Sequence, residues 1–377
     1  MDGNRKRAFG RTCGFSEEEF NRGWARITRI RGERKDMNTP LLDQFSKRGR
    51  DFLGVEYPFI CGAMTWVSDA RLVAAVCNAG GFACLAGGNT PVDILEQQIE
   101  EVKALTDRPF ALNVITIAPA YREQLELTEK LQLPFVIFAG SFPRGPEVEL
   151  VKSTGAKVLC FASTQSIAER MLGYGVDGLI LEGMEAGGHV GHVSLTILLQ
   201  QVLFEFPDVP IFVGGGIATG KMCAHMFLMG AAGVQLGTRF AIAEESCAHP
   251  AFKKAFIKAK ARDAISTPKF DSRLPVVAVR ALRNEGTDDF GRLQLELIRA
   301  LDEGRMSRNE VQIKVEEFWM GRLREAVQDG NVTRGSLMSG QSVGLVNSVM
   351  SVADIIGDLR SEAEAELQKV RGSFLDT

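Results

Sequence analysis

The chain has 377 residues, 45% of them hydrophobic, and a formal net charge of −3, a length that suits one (β/α)8 barrel carrying an added subdomain. The near-neutral charge excludes a global field for nucleic acid or an anionic membrane, and no apolar stretch nears the roughly 20 residues of a membrane span. Seven cysteines form no CxxC pair, so they read as reduced, mostly buried thiols of a cytoplasmic protein, with Cys61 and Cys160 near enough to strand ends to line a site.

Residues 1–40 differ in character from the rest. Ten Arg and Lys lie in the first 36 residues, broken by Glu17, Glu18 and Glu19, with little apolar periodicity. They read as a basic, disordered extension, and deletion of residues 1–36 is expected to leave fold and activity intact. From Tyr57 onward, short runs of Val, Ile, Phe and Leu alternate with amphipathic stretches. Eight such runs predict strands at 59–62, 81–86, 110–115, 135–139, 157–162, 178–181, 211–214 and 233–236. Helical patterns fall between them at 91–105, 121–130, 166–174, 195–206 and 220–229. Strand–helix alternation implies a parallel sheet, and eight units imply its closure into a TIM barrel. After the eighth strand the pattern changes to a charged, mostly helical region with few strand signals. The expected organisation is therefore a barrel from 41–245 plus 336–377, with a helical subdomain of 246–335 inserted after strand eight and covering the mouth. A helix over 352–370 returns as the eighth barrel helix.

Barrel enzymes place chemistry at the C-terminal ends of the strands. Five of the eight ends here are glycine-rich, which suits a flat ligand lying on backbone amides. Val213 to Gly220 and Gln235 to Phe240 follow strands seven and eight, where barrels bind phosphate. Gly215, Gly216, Gly237 and Thr238 would turn amide N–H groups inward there, aided by a helix N-terminus. Gly215 to Lys221 also spells a Walker A run, but Met222 replaces the magnesium-binding hydroxyl, which argues against an ATP loop. After strand six, Glu182 to His192 holds four glycines around His189, so the loop can present one imidazole for proton transfer. No helical register aligns His189 and His192 with Glu182 and Glu185, so the group is not read as a metal site. His225 reads as a packed residue and His249 as structural.

These segments resemble the FMN-dependent enoyl-[acyl-carrier-protein] reductase II proteins and their relatives, the nitronate monooxygenases, over roughly residues 40–370. The resemblance rests on Gly62 to Val67, Asn78 to Gly81, Gly87 to Asn89, Leu112 to Val114, Glu182 to Gly191, Gly214 to Gly220, Gln235 to Phe240, Glu245 to Pro250, Gly335 to Gln341 and Gly344 to Val346. It implies FMN on Gly62, Ala63 and Met64, with Asn113 at the ring. It further implies a flavin contact set of Gly187, Gly188, Gly215, Gly216, Gln235, Gly237 and Thr238, closed over by Met338, Gly340 and Gln341. His189 would face the substrate, binding cofactor or substrate in the reductases and acting as general base in the nitronate enzymes. Val190 after His189, where the better-known nitronate enzymes have Arg, favours the reductases, as does the tail from 317–321 through Leu345; His192 stands where those reductases carry Lys. The implied activity is hydride transfer from NADH or NADPH, through the flavin, to a small-molecule or carrier-protein-bound enoyl thioester. Oxidation of nitroalkanes or nitronates with O2 is the alternative, and a flavin-free phosphate-binding barrel is the rival from another class. Neither a nucleic acid nor a membrane partner is expected, and a homodimer is compatible with the pattern.

Overall fold

The strands expected from the sequence all form, each within one residue at either end. In the computed structural model, which describes residues 39–88, 90–274 and 276–375, they are β1 Phe59–Cys61, β2 Phe82–Ala86, β3 Ala111–Ile115, β4 Phe135–Ala139, β5 Lys157–Ala162, β6 Gly178–Glu182, β7 Ile211–Gly214 and β8 Gly233–Leu236. Each pairs in parallel with the next, and β1 pairs with β8 through Ile60 and Gln235, closing the barrel. The extension expected over 1–40 lies outside the described residues but for Thr39 and Pro40, as does Asn89. Among the described residues, no helix is long and apolar enough to cross a membrane.

Two cores follow from the strands being buried on both faces. Inside the barrel, Ile60, Phe82, Cys84, Phe135, Ile137, Leu159, Ile180 and Phe212 fill the lumen. Its lower end is stoppered by the helix Lys47–Leu53, whose Leu53 joins the same cluster and whose Phe52 ring lies 5.8 Å from that of Phe212. The stopper needs Gly49, since a Cβ there would sit 1.8 Å from the carbonyl oxygen of Ala232. Outside the barrel, the helices pack a second core onto the strands' outward residues, Cys61 and Cys160 among them. Both thiols are fully buried there, and burial pushes them well above the ordinary range, so neither lines a site.

The terminal helix Val352–Leu375 runs against the helix Gly220–Leu228 on one side and Ala70–Asn78 on the other, the eighth place in the ring. Two of its carboxylates fasten it. Glu364 accepts from the backbone N–H groups of Leu41 and Leu42, and Glu362 accepts from that of Gly220 at 2.9 Å.

Part of the chain between β8 and the terminal helix, the subdomain, packs around a cluster of its own. The cluster joins Leu274, Val279, Phe290, Leu297, Val311, Val315 and Trp319, carried mainly by the helices Glu285–Asp302 and Arg308–Val327. The helix Pro250–Lys258, by contrast, puts Phe252 and Phe256 into the barrel's outer core. The region is also less purely helical than its charge pattern suggests. Strands Ala264–Ser266 and Val279–Leu282 pair antiparallel there. The latter takes Gly188–His189 as its other neighbour, so a three-stranded sheet joins subdomain and barrel loop. The helix expected over 195–206 is one α-turn, Leu195–Leu198, running into a π-turn, Leu199–Leu203.

Candidate active site at the barrel mouth

Side chains alternate along a strand, so the residues two beyond the lumen cluster face the mouth. On β3 that residue is Asn113, on β6 Glu182 and on β8 Gln235. The register sets Glu182 and Gln235 on either side of Gly214 at one level. Gly62 and Gly214 make room for the Gln235 side chain, since a Cβ on either would meet it at 3.1–3.2 Å. Asn113 donates its Nδ2 to the carbonyl of Ile137 at 3.2 Å, which leaves its amide oxygen unengaged. Neither the Glu182 carboxyl nor the Gln235 amide has a hydrogen-bond partner among the described residues. Glu182 keeps some exposure through the mouth, yet burial pushes its carboxyl up to about 8. Polar groups left without partners this deep mark a place where a ligand supplies them. The edge of a flavin ring, with its alternating N–H and C=O groups, fits that need. Glu182 is the residue sequence reasoning passed over: it was weighed as a metal ligand, although its position two beyond Ile180 gives it the same inward direction as Asn113 and Gln235.

Gly215 and Gly216 both take φ in the left-handed region, 94° and 78°, and so can hold a turn that other residues resist. A Cβ on Gly215 would meet the backbone of Gly183 at 2.9 Å, so strands six and seven end in contact. Gly237 begins the short helix Thr238–Ala241, the arrangement by which barrels of this kind receive a phosphate. The longer helix after β7 does not contribute as expected. Its N-terminus at Gly220 is capped by Thr219 and occupied by Glu362, and a Cβ at Gly220 would lie 2.2 Å from the carbonyl of Leu359. The terminal helix has taken that dipole, so a phosphate would rest on the glycine amides and Thr238. The Thr238 hydroxyl itself accepts from the backbone N–H of Gly340 at 2.9 Å.

The Met338–Gln341 run meets the His189 loop directly. The N–H of Gln341 donates to the carbonyl of Glu185 at 2.9 Å. Gly187 and Gly340 are where the two backbones touch: a Cβ on Gly187 would lie 2.5 Å from Ser339, and one on Gly340 2.8 Å from the Glu185 carbonyl. Met64 approaches Gly237, and Met338 approaches Gly188, each with its sulfur 3.7 Å from where the glycine's Cβ would be. Ala63 packs beside the lumen cluster. The residues singled out from sequence therefore converge on one opening.

His189 is held more firmly than a glycine-flanked loop suggests. It pairs with Val279 in the small sheet, and its side chain, 43% exposed, sets Nε2 3.7 Å from Oε2 of Glu316 on the helix Arg308–Val327. Arg280, next on the strand, is only 5% exposed and has no carboxylate within ion-pair distance among the described residues. Its Nε donates to the Met184 carbonyl at 3.1 Å and its Nη1 to that of Ala264 at 2.7 Å, tying the His189 loop to the subdomain. Burial draws this guanidinium below its usual range, with the Glu185 carboxylate opposing. The far side of the mouth is reached by the same long helix. Arg324 lies over the ring of Trp66 at 5.9 Å, eight residues or about 12 Å along the helix from Glu316. Trp66, on the loop after β1, has φ 67°, a conformation costly for a bulky side chain and typical of functional loops.

A family model for nitronate monooxygenase matches residues 46–131 and 115–362, nearly the whole of this architecture. The chain belongs to the nitronate monooxygenase family. It is 30% identical over 344 residues to the (3aS,4S,5R,7aS)-5-hydroxy-7a-methyl-1-oxo-octahydro-1H-indene-4-carboxyl-CoA dehydrogenase of Mycobacterium tuberculosis, covering 84% of this chain and 96% of the relative. It is 25% identical over 378 residues to the nitronate monooxygenase of Paraburkholderia phytofirmans, covering 88% of this chain and 99% of that one. Among solved structures, FabK from Thermotoga maritima superposes with a TM-score of 0.76 at 33% identity, covering 86% of this chain and 98% of FabK. The family member described here is thus an oxidoreductase built on the TIM barrel common to these enzymes.

Proposed function

We propose that this family member binds FMN at the mouth and uses NADH or NADPH to reduce an enoyl thioester. The observation that carries the flavin is the polar floor below the glycine ends of β7 and β8, where the Asn113 amide oxygen, the Glu182 carboxyl and the Gln235 amide have no hydrogen-bond partner among the described residues. Two relatives at 30% identity or more, one named for a carboxyl-CoA substrate and the other FabK, support the thioester.

When bound, FMN supplies hydride transfer. The chain's part is positioning and proton handling. Amides of Gly215, Gly216, Gly237 and Thr238 would hold the phosphate, and Gly62, Ala63 and Met64 would back the ring, with Gly187, Gly188, Met338, Gly340 and Gln341 closing over it. Glu182, protonated below about pH 8, would donate a hydrogen bond from its carboxyl while Gln235 and Asn113 complete the set. Addition of hydride to the β-carbon of an enoyl thioester needs a proton at the α-carbon, and Nε2 of His189 is an exposed acid–base group on the mouth loop. The helix Arg308–Val327 would shield the reacting carbons from water.

A second reading keeps the same site. The imidazole of His189 beside the Glu316 carboxylate suits removal of a proton from a nitroalkane, the chemistry of the family's name. Anaerobic spectroscopy separates the two. Rapid bleaching of the flavin by NADH or NADPH, followed by reoxidation with crotonyl-CoA, supports the reductase. Bleaching only by a nitroalkane or nitronate overturns it in favour of the monooxygenase, and a protein that cannot be loaded with flavin overturns both.

A further inference from the structure

The segment after β8 carries Lys253, Lys254, Lys258, Lys260 and Arg262 within ten residues, in a chain whose net charge is −3. Lys253 is committed to structure, donating to the carbonyls of Ala243, Glu244 and Ser246. The others are exposed, and among the described residues Arg262 has only Asp263, at 4.0 Å. The ammonium groups of Lys254, Lys258 and Lys260 meet no carboxylate among the described residues. Five lysines elsewhere have carboxylate partners, Lys47 with Asp51, Lys103 with Glu100, Lys130 with Glu96, Lys152 with Asp177 and Lys314 with Glu317, whereas Lys221 and Lys269 have none among the described residues. What sets this face apart is the clustering of three such lysines into a strip within residues 254–260.

Its place gives it meaning. Lys260 and Ala261 wall a cavity of about 370 Å³ that runs from Gly216 past Gln341 to Leu345, which is 60% exposed at the rim. Lys260 thus brings the strip to the rim of a cavity whose other end is Gly216, where a flavin phosphate would rest. Two carboxylates near this cavity are held by backbone donors. Glu185, on the same cavity, accepts from the N–H of Leu195, and Asp263 accepts from that of Lys260. What the strip lacks is a polyanion tethered to something that reaches inward.

We propose that Lys254, Lys258, Lys260 and Arg262 bind the phosphates of a coenzyme A thioester at the rim of the mouth. This rests on the thioester reading above. Clustered like charges at a cavity rim raise the local concentration of an oppositely charged ligand, and the effect falls with salt.

The test compares the holoenzyme with a Lys254→Ala/Lys258→Ala/Lys260→Ala variant, using coenzyme A, 3′-dephospho-coenzyme A and pantetheine as probes in calorimetry. The dissociation constant for coenzyme A should rise about tenfold or more in the variant, and rise in the wild type with added salt. Dephospho-coenzyme A should show a smaller rise and pantetheine none, with flavin content unchanged. Equal coenzyme A affinity in the two proteins overturns the proposal. So does loss of FMN from the variant, which would assign the lysines to the flavin phosphate. Wild-type protein that ignores coenzyme A but retains an acidic carrier protein overturns it as well. Turnover decides the parent reading separately. Binding through the strip without reduction of crotonyl-CoA keeps the strip and sinks the thioester reductase; reduction of crotonyl-pantetheine without coenzyme A binding does the reverse.

Discussion

Nε2 of His189 lies 3.7 Å from Oε2 of Glu316, so the imidazole on the barrel loop is faced by a carboxylate from the subdomain helix. Replacing the two residues should have unequal effects. His189→Ala should keep its flavin and its fold while turnover falls about a hundredfold or more, the scale of a positioned acid–base group. Glu316→Gln should cost less than about tenfold, because a half-exposed ion pair is worth only about 0–1 kcal/mol. Steady-state kinetics normalised to bound flavin measure both; equal losses would mean that the pair acts only as a clamp between barrel and subdomain.

Arg280 gives a second prediction. Arg280→Met fills the same space but leaves the carbonyls of Met184 and Ala264 without their donor, which should destabilise the fold by roughly 1–3 kcal/mol. Turnover per flavin should fall with it, since the His189 loop loses its tie. Arg280→Lys, able to reach one carbonyl at a time, should lie between. Thermal melts and kinetics on the three proteins would show whether stability and activity move together. Unchanged activity in Arg280→Met would remove the residue from positioning.

Glu182 makes the stability of the fold depend on pH. Its carboxyl is raised from an ordinary 4.5 to about 8 by burial. Between those values the native state holds a proton that the unfolded chain has released, so stability falls as pH rises through this window and levels above it. Glu182→Gln cannot ionise and should lack that fall. In proteins of matched flavin content, the melting temperature of the variant relative to wild type should climb from pH 5 to about 8 and then flatten. A constant difference would place the titration elsewhere.

Glycines of two kinds should respond in opposite directions. Gly187→Ala puts a methyl about 2.5 Å from Ser339, forcing the Met338–Gln341 run away from the loop, and FMN affinity should drop while the barrel still folds. Gly321→Ala and Gly357→Ala lie inside helices with nothing near the added methyl, and each should raise stability by up to about 1 kcal/mol. Flavin fluorescence titrations and thermal melts distinguish the two kinds. Wild-type FMN affinity in Gly187→Ala would show that the loop and the C-terminal run move independently of the cofactor site.

The sequence by itself determined the barrel. Eight apolar runs buried on both faces, spaced by amphipathic helices, have few ways to pack, and that local pattern carried strand ends to within one residue. It also determined which strand ends bear the chemistry, because glycine at 215 and 216 and histidine at 189 signal backbone access and proton transfer wherever the fold sets them. What it left open depended on partners distant in the chain. The short strands Ala264–Ser266 and Val279–Leu282 exist through pairing with each other and with Gly188–His189, a long-range contact with no local period. Likewise Glu362, 142 positions from Gly220, claims the helix end that the sequence assigned to a phosphate. Only tertiary structure could decide these, because a hydrogen bond between remote residues, or a carboxylate left without one as at Glu182, is a property of how the chain is brought together rather than of any stretch of it.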